Sequence, residues 1–229
     1  MTHPHNDPPA DLASFLSSTP VIPVLTVHRA ADAEPLARAL VAGGLNVLEV
    51  TLRTPAALDA IARMAEVDGA LVGAGTLTRP ADVDAVLRAG GRFGVSPGLT
   101  PDLGRVAKGS GLPLLPGVMT PSEAMAARDA GFPLLKLFPA EAAGGRPLLR
   151  SLAGPLADLR FCPTGGISAD TFLDYLALPN VLCVGGSWIA PKDAVADGDW
   201  GRVEALARAA VRAAAEAGST PSPRPHSAH

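Results

Sequence analysis

Short apolar runs rich in β-branched residues alternate along the chain with longer alanine-rich stretches in which apolar residues recur at helical spacing. The short runs predict buried strands, and the longer stretches predict amphipathic helices. Several helical stretches open with Thr-Pro, Arg-Pro or Ser-Ala-Asp and close at glycine, which is the asymmetry expected at helix ends. The strand-like runs cover residues 21–27, 46–52, 70–76, 92–97, 112–118, 133–138, 160–166 and 181–186.

Eight strand-like runs, each followed by a helical stretch, predict a single α/β domain, a (β/α)8 TIM barrel with a parallel sheet. A doubly wound open sheet is the alternative, and the even size of the units favours the closed barrel. We expect a flexible N-terminus over residues 1–14, the barrel over residues 15–217 and a disordered Ser/Pro-rich tail over residues 218–229. The stretch 8–18 predicts a short helix over the bottom of the barrel, and the stretch 199–218 predicts a long final helix.

The composition excludes several classes of partner. The net charge is −3 and no basic cluster is present, so we expect no nucleic-acid binding. No apolar run approaches the ~18 residues that span a bilayer, and the N-terminal stretch lacks the pattern of a secretory signal. These features predict a cytoplasmic protein without a membrane partner. Cys162 and Cys183 lie in apolar strand-like runs, where small reduced core residues are the simplest interpretation.

The first candidate for chemistry is Lys136, which lies inside the apolar run 133–138. Lysine is among the residues least often buried without a partner, whereas Lys108 and Lys192, the other two lysines, lie in polar, turn-rich stretches. Apolar surroundings disfavour the ammonium form, so the neutral amine becomes a nucleophile that can form an imine with a ketone. The structural alternative is a lysine that reaches the rim or pairs with Glu49. The isolated position of this lysine favours catalysis.

The second run supplies a carboxylate for such chemistry. Glu49, Thr51 and Arg53 alternate along it and therefore share one face of the strand. A carboxylate within an apolar strand fits catalysis, but a structural Glu–Arg pair explains these residues equally well, so this strand alone leaves both interpretations open. Thr76 and Pro97, at the ends of the third and fourth runs, are weaker candidates because ordinary turns also explain their surroundings.

Two Gly-Gly pairs end the seventh and eighth runs, at residues 165–166 and 185–186. Barrel enzymes often hold phosphate at these strand ends with backbone N–H groups. We expect helices starting near Ser168 and Ser187 to add favourable dipoles. The alternative is that glycine only permits the turn from strand to helix.

Histidine is scarce where chemistry is expected. Four of the five histidines lie in the terminal segments, and His28 stands alone after the first run. Because no pair has metal-ligand spacing, we expect no histidine-bound metal, and a Ser-His-Asp triad has only His28 available. Acid–base work is left to a carboxylate, a lysine or Tyr175, and Lys136 with Glu49 is the constellation that remains.

Seven motifs follow one another in order: EVTLRT (49–54), GAGT (73–76), SPG (96–98), PGVMTPSE (116–123), LKLFPAE (135–141), PTGGI (163–167) and GGSW (185–188). Together they resemble the KDPG/KHG aldolase family, the 2-keto-3-deoxy-6-phosphogluconate and 4-hydroxy-2-oxoglutarate aldolases. The resemblance implies a class I aldolase with a (β/α)8 fold that needs no metal or other cofactor. It also implies a homotrimer that acts in Entner–Doudoroff carbohydrate metabolism in the cytoplasm.

The resemblance implies that Lys136 is the Schiff-base lysine and that Glu49 is the general acid and base. It places Arg53 and Thr76 around the pyruvate carboxylate and keto group. The implied reaction is reversible cleavage of 2-keto-3-deoxy-6-phosphogluconate to pyruvate and glyceraldehyde 3-phosphate, together with cleavage of 4-hydroxy-2-oxoglutarate to pyruvate and glyoxylate. The implied partner is therefore a small keto acid.

The remaining substrate contacts are also implied by the resemblance. Pro97 and Phe138 are expected to shape the pyruvate pocket, and Thr164 is expected near the sugar hydroxyls. The 6-phosphate is expected at Gly165, Gly166, Gly185, Gly186 and Ser187. Alternatives are a pyruvate aldolase for 2-keto-3-deoxy-6-phosphogalactonate, a phosphosugar isomerase or synthase that uses the barrel without an imine, and a non-catalytic phosphosugar sensor.

Overall fold

The computed structural model describes residues 12–219, in which strands alternate with helices. The strands are β1 Val21–Leu25, β2 Val47–Thr51, β3 Leu71–Gly75, β4 Gly94–Val95, β5 Leu114–Leu115, β6 Gly117–Val118, β7 Leu134–Leu137, β8 Arg160–Pro163 and β9 Val184–Gly186. The helices are α1 Leu12–Ser17, α2 Ala33–Ala42, α3 Ala57–Ala65, α4 Pro80–Arg88, α5 Pro101–Ser110, α6 Pro121–Asp129, α7 Gly145–Ala153, α8 Phe172–Leu176, α9 Lys192–Asp197 and α10 Trp200–Ser219. A short 3-10 turn, Ala30–Asp32, precedes α2.

The strands pair in parallel, in one sheet ordered β5-β4-β3-β2-β1-β9 and another ordered β6-β7-β8. Parallel strands need crossover connections, and the helices that provide them cover the sheet. For this reason every residue of β2 is buried, although the strand contains a glutamate and a threonine. The sheet curls into a half-barrel, and the α/β architecture predicted from the sequence is confirmed.

Three local predictions need correction. The run 112–118 forms two short strands, β5 and β6, because Pro116 between them has no N–H group for a ladder. The helix starts predicted near Ser168 and Ser187 are wrong, since α8 begins at Phe172 and α9 begins at Lys192. For α9 the reason is Pro191, because the residue before a proline avoids helical backbone angles and the helix starts only after it.

Two apolar clusters fill the interior. The larger lies between the strands and the helices, and the smaller lies on the inner face of the curled sheet, where it includes Ile22, Phe93 and Leu115. Helix α1 contributes Leu12 and Leu16 to this smaller cluster, beside residues from the first halves of β1 and β2. The short N-terminal helix predicted from the sequence is therefore confirmed, and it covers the amino ends of the strands.

Cys162 and Cys183 are free thiols buried in the smaller cluster. The pKa of the Cys183 thiol is raised because it hydrogen-bonds Cys162, is fully removed from water and lies near the negative charge of Glu49. This thiol therefore stays protonated near neutral pH and acts as a small apolar residue in the layer beside the glutamate.

The expected barrel boundaries at residues 15 and 217 fall inside α1 and α10. The rest of the flexible N-terminus and of the Ser/Pro-rich tail predicted from the sequence lies outside the described residues. Between residues 12 and 219, no helix combines the length and the apolar character that crossing a membrane requires.

Helix α6 begins with a capping box. The Thr120 side chain accepts a hydrogen bond from the Glu123 N–H (3.2 Å), and the Glu123 carboxylate accepts from the N–H groups of Met119 (2.7 Å) and Thr120 (2.8 Å). The bond from Met119 is the main reason that the pKa of Glu123 is lowered in the folded protein. Because the folded-state pKa is lowered, the ionised carboxylate stabilises the fold above the unfolded-state pKa and loses this effect as pH falls through the folded-state value.

We therefore expect Glu123→Gln to lower the free energy of unfolding by roughly 0.5–1 kcal/mol at about pH 7. The amide still accepts hydrogen bonds, so the loss reports the charge, and the two proteins should converge once the pH falls below the lowered folded-state pKa of Glu123. Urea unfolding of both proteins across this pH range measures the difference. Glu66→Gln, at the end of α3, controls for the general loss of a carboxylate. A gap between wild type and Glu123→Gln that is unchanged at low pH contradicts the assignment.

Candidate active site

The candidate site is centred on a buried contact between Lys136 in β7 and Glu49 in β2. Lys136 Nζ lies 3.3 Å from Glu49 Oε1, and the two residues are only 5% and 2% exposed. The two residues are 87 positions apart in the sequence, and their strands belong to different sheets. Their side chains therefore meet across the interior. The structure thus brings together the two residues singled out from the sequence.

Glycines on the neighbouring strand make room for this contact. In the register of β2 and β3, Glu49 pairs with Gly73 and Thr51 pairs with Gly75. A Cβ atom on Gly75 would lie 2.1 Å from Glu49 Oε1, far inside van der Waals contact. The motif GAGT therefore has a packing role, because any larger residue at Gly75 displaces the Glu49 carboxylate.

The surroundings of Lys136 favour chemistry at its amine. Its Nζ atom lies 5.1 Å from the centre of the Phe138 ring, which offers a cation–π contact to the charged form. A buried charge without a partner is strongly unfavourable, and the Glu49 carboxylate is the partner within reach of this amine. An amine in direct contact with a carboxylate can exchange a proton with it, and the neutral amine is a nucleophile.

Arg53 and Thr76 lie together at the carboxyl ends of β2 and β3. Arg53 Nε donates a hydrogen bond to Thr76 Oγ1 at 3.3 Å, and the arginine is exposed at the mouth of the site. Thr76 has a φ of 67°, the only positive value among the non-glycine residues that the structure describes. Such strained backbone is typical of functional sites. The arrangement presents a cation where a carboxylate ligand would enter.

The two glycine pairs have different structures. Gly165 and Gly166 form a turn after β8, with φ values of 103° and 83° that favour glycine. Gly185 and Gly186 instead lie within β9, as the strand-like run 181–186 predicts, so the alternative that this pair forms a turn is wrong. Gly185 is needed for packing, because a Cβ atom on it would lie 2.2 Å from Oγ1 of the buried Thr164 on the adjacent strand.

The other predicted contacts fall into two separate concave surfaces. Ser187 is exposed directly after β9 and lines a cleft of about 610 Å³ at the carboxyl ends of β1 and β9, which we call the β1–β9 cleft. Pro97 and Phe138 line a groove of about 680 Å³ between α5 and α6, which we call the α5–α6 groove and which also includes Met119 and Phe132.

One interaction beside the site was missed from the sequence. The Tyr175 hydroxyl donates a hydrogen bond to Glu141, whose own N–H donates to the Gly165 carbonyl at 3.1 Å. Burial, followed by the bond to Glu141, raises the pKa of Tyr175, so the phenol stays neutral. The sequence made Tyr175 one of the acid–base candidates. In the structure its hydroxyl instead hydrogen-bonds Glu141 and positions that residue beside the turn at Gly165 and Gly166. No local pattern in the sequence indicates this contact, because Tyr175 lies in α8 and Glu141 lies in the turn between β7 and α7.

The fold and the site together define a class of protein. It is a parallel α/β protein with a buried amine–carboxylate pair between two of its strands, an exposed arginine after the carboxyl end of β2 and a glycine turn after the carboxyl end of β8. Active sites of parallel α/β folds lie at this end of the sheet. The pair is suited to imine chemistry on a carbonyl compound.

Comparison with known proteins identifies the family. The family model for KDPG and KHG aldolase matches residues 12–206. The 2-dehydro-3-deoxy-phosphogluconate aldolase of Pseudoalteromonas atlantica is 51% identical over 200 residues, which cover 87% of this chain and 93% of the relative. The KHG/KDPG aldolase of Escherichia coli is 52% identical over 202 residues, covering 88% and 95%. This chain therefore belongs to the KDPG and KHG aldolase family, as its motifs indicate.

Solved structures agree with this assignment. The 2-keto-3-deoxy-6-phosphogluconate aldolase of Zymomonas mobilis, determined with 3-phosphoglycerate, superposes with a TM-score of 0.84 at 50% identity and covers 88% of this chain and 95% of that one. The KDPG aldolase of Legionella pneumophila, captured with pyruvate as a covalent carbinolamine intermediate, has a TM-score of 0.86 at 44% identity, with coverages of 88% and 98%.

The packing of Gly75 against Glu49 generates a prediction. Gly75→Ala should shift the carboxylate away from Lys136 and lower kcat on a substrate of the aldolase family by about 10²-fold, the effect typical of a misplacement of about 1 Å. Steady-state kinetics and thermal unfolding measure activity and folding separately. Gly109→Ala is the matched control, because an added Cβ there meets nothing within 4 Å. Full activity of a folded Gly75→Ala protein contradicts the role given to this glycine.

Proposed function

We propose that this chain is a class I aldolase that reversibly cleaves 2-keto-3-deoxy-6-phosphogluconate to pyruvate and glyceraldehyde 3-phosphate. The observation that carries the proposal is the buried contact of 3.3 Å between Lys136 Nζ and Glu49 Oε1. The names of the relatives in Pseudoalteromonas atlantica and Zymomonas mobilis support the substrate. The covalent carbinolamine with pyruvate in the Legionella protein supports the chemistry.

In the first half of the proposed reaction, the neutral amine of Lys136 attacks C2 of the keto acid and forms a carbinolamine. Glu49 in its acid form donates the proton with which the hydroxyl leaves as water, and a protonated imine remains. Arg53 offsets the charge of the substrate carboxylate, for which its position at the mouth is suited. Because the iminium ion is itself the electron sink, the proposal includes no metal ion or other cofactor.

In the second half, the Glu49 carboxylate takes the proton of the C4 hydroxyl. The C3–C4 bond breaks, its electrons move into the enamine, and glyceraldehyde 3-phosphate leaves. Glu49 returns this proton to C3 of the enamine, and water hydrolyses the resulting iminium to pyruvate, which leaves Lys136 as the free amine and Glu49 as the acid. We assign the pyruvate pocket to Thr76, Pro97 and Phe138.

We assign the 6-phosphate and sugar hydroxyls to the opposite side of the site. The turn at Gly165 and Gly166 can present backbone N–H groups to the phosphate, and Ser187 adds an exposed hydroxyl. The residues given to this part of the substrate are Thr164, Gly165, Gly166, Gly185, Gly186 and Ser187. Cleavage needs only a 2-keto-4-hydroxy acid, so 4-hydroxy-2-oxoglutarate is a second substrate, in line with the name of the Escherichia coli relative.

We infer that the sheet closes into an eightfold barrel around this site. Strand β5 pairs with β4 and β6 pairs with β7, and only Pro116 separates β5 from β6, so the two behave as one interrupted strand. Two isolated bridges lead across to the last strand: Phe161 in β8 pairs with Val181 before β9, and Thr164 directly after β8 pairs with Gly185 within β9. The contact of Lys136 with Glu49 across the interior also favours closure.

We place the barrel over residues 15–217, with α1 as its cover, and we place the enzyme in the cytoplasm as a lyase of Entner–Doudoroff carbohydrate metabolism. A phosphorylated keto acid is a substrate of central metabolism, and the free, buried state of Cys162 and Cys183 fits a reducing compartment.

We also propose that the enzyme is a homotrimer assembled through the part of the α5–α6 groove that the two helices form, while Pro97 and Phe138, which also line the groove, belong to the pyruvate pocket. The groove has a largely apolar lining that includes Leu99 and Phe132. Met119 on its wall and Met125 on α6 are 43% and 46% exposed. Exposed apolar surface of this kind is typical of interaction sites, and methionine adapts well to a partner surface.

Imine formation generates a prediction that is independent of the cleavage assay. Borohydride added with pyruvate should leave one N-(1-carboxyethyl) group on Lys136, and peptide mass mapping should locate it. Lys108 and Lys192 are the only other lysines in the sequence and serve as internal controls. Lys136→Met should lose the adduct and at least about 10³-fold in kcat. Glu49→Gln should still form the adduct, but more slowly because no acid assists the loss of water, and it should lose roughly 10²- to 10⁴-fold in cleavage.

An adduct on another lysine, or full cleavage by Lys136→Met, contradicts the proposed nucleophile. Loss of the adduct in Glu49→Gln would contradict only the division of roles between the two residues.

The assembly proposal predicts that Met125→Glu dissociates the trimer, because a charge is introduced on helix α6 beside the apolar groove. Light scattering coupled to size-exclusion chromatography measures the mass directly. Leu58→Glu, at a comparably exposed apolar position on α3, is the matched control and should stay trimeric. A wild-type protein with the mass of a single chain disproves the trimer.

A further inference from the structure

A pair of threonine hydroxyls lies on the inner face of the first two strands. Thr51 at the end of β2 is completely buried, and Thr26, directly after β1, is half-buried. Their Oγ1 atoms lie 3.2 Å apart. Thr51 Oγ1 also donates a hydrogen bond to the Leu25 carbonyl oxygen at 2.8 Å. The Thr26 side chain reaches the surface of the β1–β9 cleft, which Ser187 also lines.

The hydrogen bond to Leu25 determines the direction of the other bond. A hydroxyl has one proton to donate and two lone pairs that accept. The Leu25 carbonyl can only accept, so it takes the proton of Thr51. Thr26 must then donate its own proton to Thr51. Toward the cleft, the Thr26 oxygen can therefore only accept a hydrogen bond. It can bind a hydroxyl or another donor group of a ligand.

The position of Thr26 relates it to the reacting atoms. Glu49 is in register with Val24, and Thr26 lies two residues further along β1, so it shares the face of Val24 and Glu49. It stands about 6–7 Å beyond the level of the glutamate toward the carboxyl ends of the strands. Strand β9, which ends just before Ser187, is the other neighbour of β1. In the two registers Val24 is level with both Glu49 and Ser187, so β1 lies between the strand of Glu49 and the strand that leads to Ser187, and Thr26 lies two residues beyond that level.

We propose that Thr26 accepts a hydrogen bond from the C5 hydroxyl of the substrate, which becomes the C2 hydroxyl of the aldehyde product. This inference rests on the proposed function. In 2-keto-3-deoxy-6-phosphogluconate, C5 connects the C4 carbon at which Glu49 acts to the phosphorylated C6. An acceptor at this height favours a hydroxylated aldehyde over one with hydrogen in place of that hydroxyl. Thr26 is thus a specificity residue for the aldehyde half of the substrate.

The test compares two aldehydes in the direction of aldol addition to pyruvate. Glyceraldehyde 3-phosphate carries the hydroxyl, and 3-oxopropyl phosphate lacks it. The readout is the ratio of kcat/KM for the first aldehyde to kcat/KM for the second. In Thr26→Val, which replaces the hydroxyl with a methyl group of similar size, the ratio should fall roughly 5- to 50-fold relative to wild type. In Thr26→Ser, which keeps the hydroxyl, the ratio should stay close to the wild-type value.

Thr19→Val is the matched control. Its hydroxyl donates to the Val21 carbonyl oxygen at 2.7 Å, at the amino end of β1, so its loss should leave the ratio unchanged. An unchanged ratio in Thr26→Val, or an equal fall in Thr26→Ser, overturns the proposal for Thr26.

Borohydride trapping of pyruvate by the wild type separates this outcome from failure of the proposed function. Trapping on Lys136 with an unchanged ratio in Thr26→Val overturns only the role of Thr26. Absence of trapping overturns both proposals.

Discussion

The buried ion pair of Lys136 and Glu49 is the interaction on which the rest of the site depends. Removing two charges from water is unfavourable, and their mutual attraction repays this only when the geometry is good. Loss of one partner of such a pair destabilises proteins by about 3–5 kcal/mol, because the other charge is left buried and alone. The protein therefore has to hold two distant strands so that these side chains meet, and the surrounding glycines are part of this constraint.

The inner face of the sheet changes character along the strands. Side chains of a strand face the interior at every second residue. On β2 the step from Val47 to Glu49, and on β7 the step from Leu134 to Lys136, leads from the apolar cluster into the site. At the end of β8, Cys162 is followed two residues later by Thr164. On these three strands, one step of two residues thus separates an apolar layer that supports the fold from a polar layer that contains the candidate site.

The sequence predicted the parts of the structure that depend on local pattern. The strand-like runs, the alternation with helices and the helix α1 follow from apolar spacing and from the residues at helix ends. Lys136 and Glu49 stood out because a charge in an apolar strand needs a partner. Their meeting across 87 residues was expected only from the family resemblance and the shared end of the strands.

The features that were missed depend on tertiary contact. The sequence suggested a phosphate contact or a turn for Gly185, and neither interpretation revealed that this strand residue makes room for Thr164. Gly75 has the same relation to Glu49. The bond between Tyr175 and Glu141 joins segments that no periodic pattern relates. In each case the missing information is which side chain lies opposite, and that is set by strand register and helix docking.

The same ion pair explains why a buried site can support several intermediates in the proposed mechanism. In the reactive form of the pair Lys136 is an amine and Glu49 is an acid, which differs from the ion pair only by transfer of one proton between them. After water is lost, the iminium ion is positive while Glu49 is a carboxylate. When the carbon–carbon bond breaks, the enamine is neutral and Glu49 again carries the proton. The net charge of the pair is therefore zero at every stage, so the unfavourable burial of a lone charge is never incurred. A carboxylate placed in contact with the amine, with glycine at position 75 to leave room for it, is sufficient to keep this balance throughout the cycle.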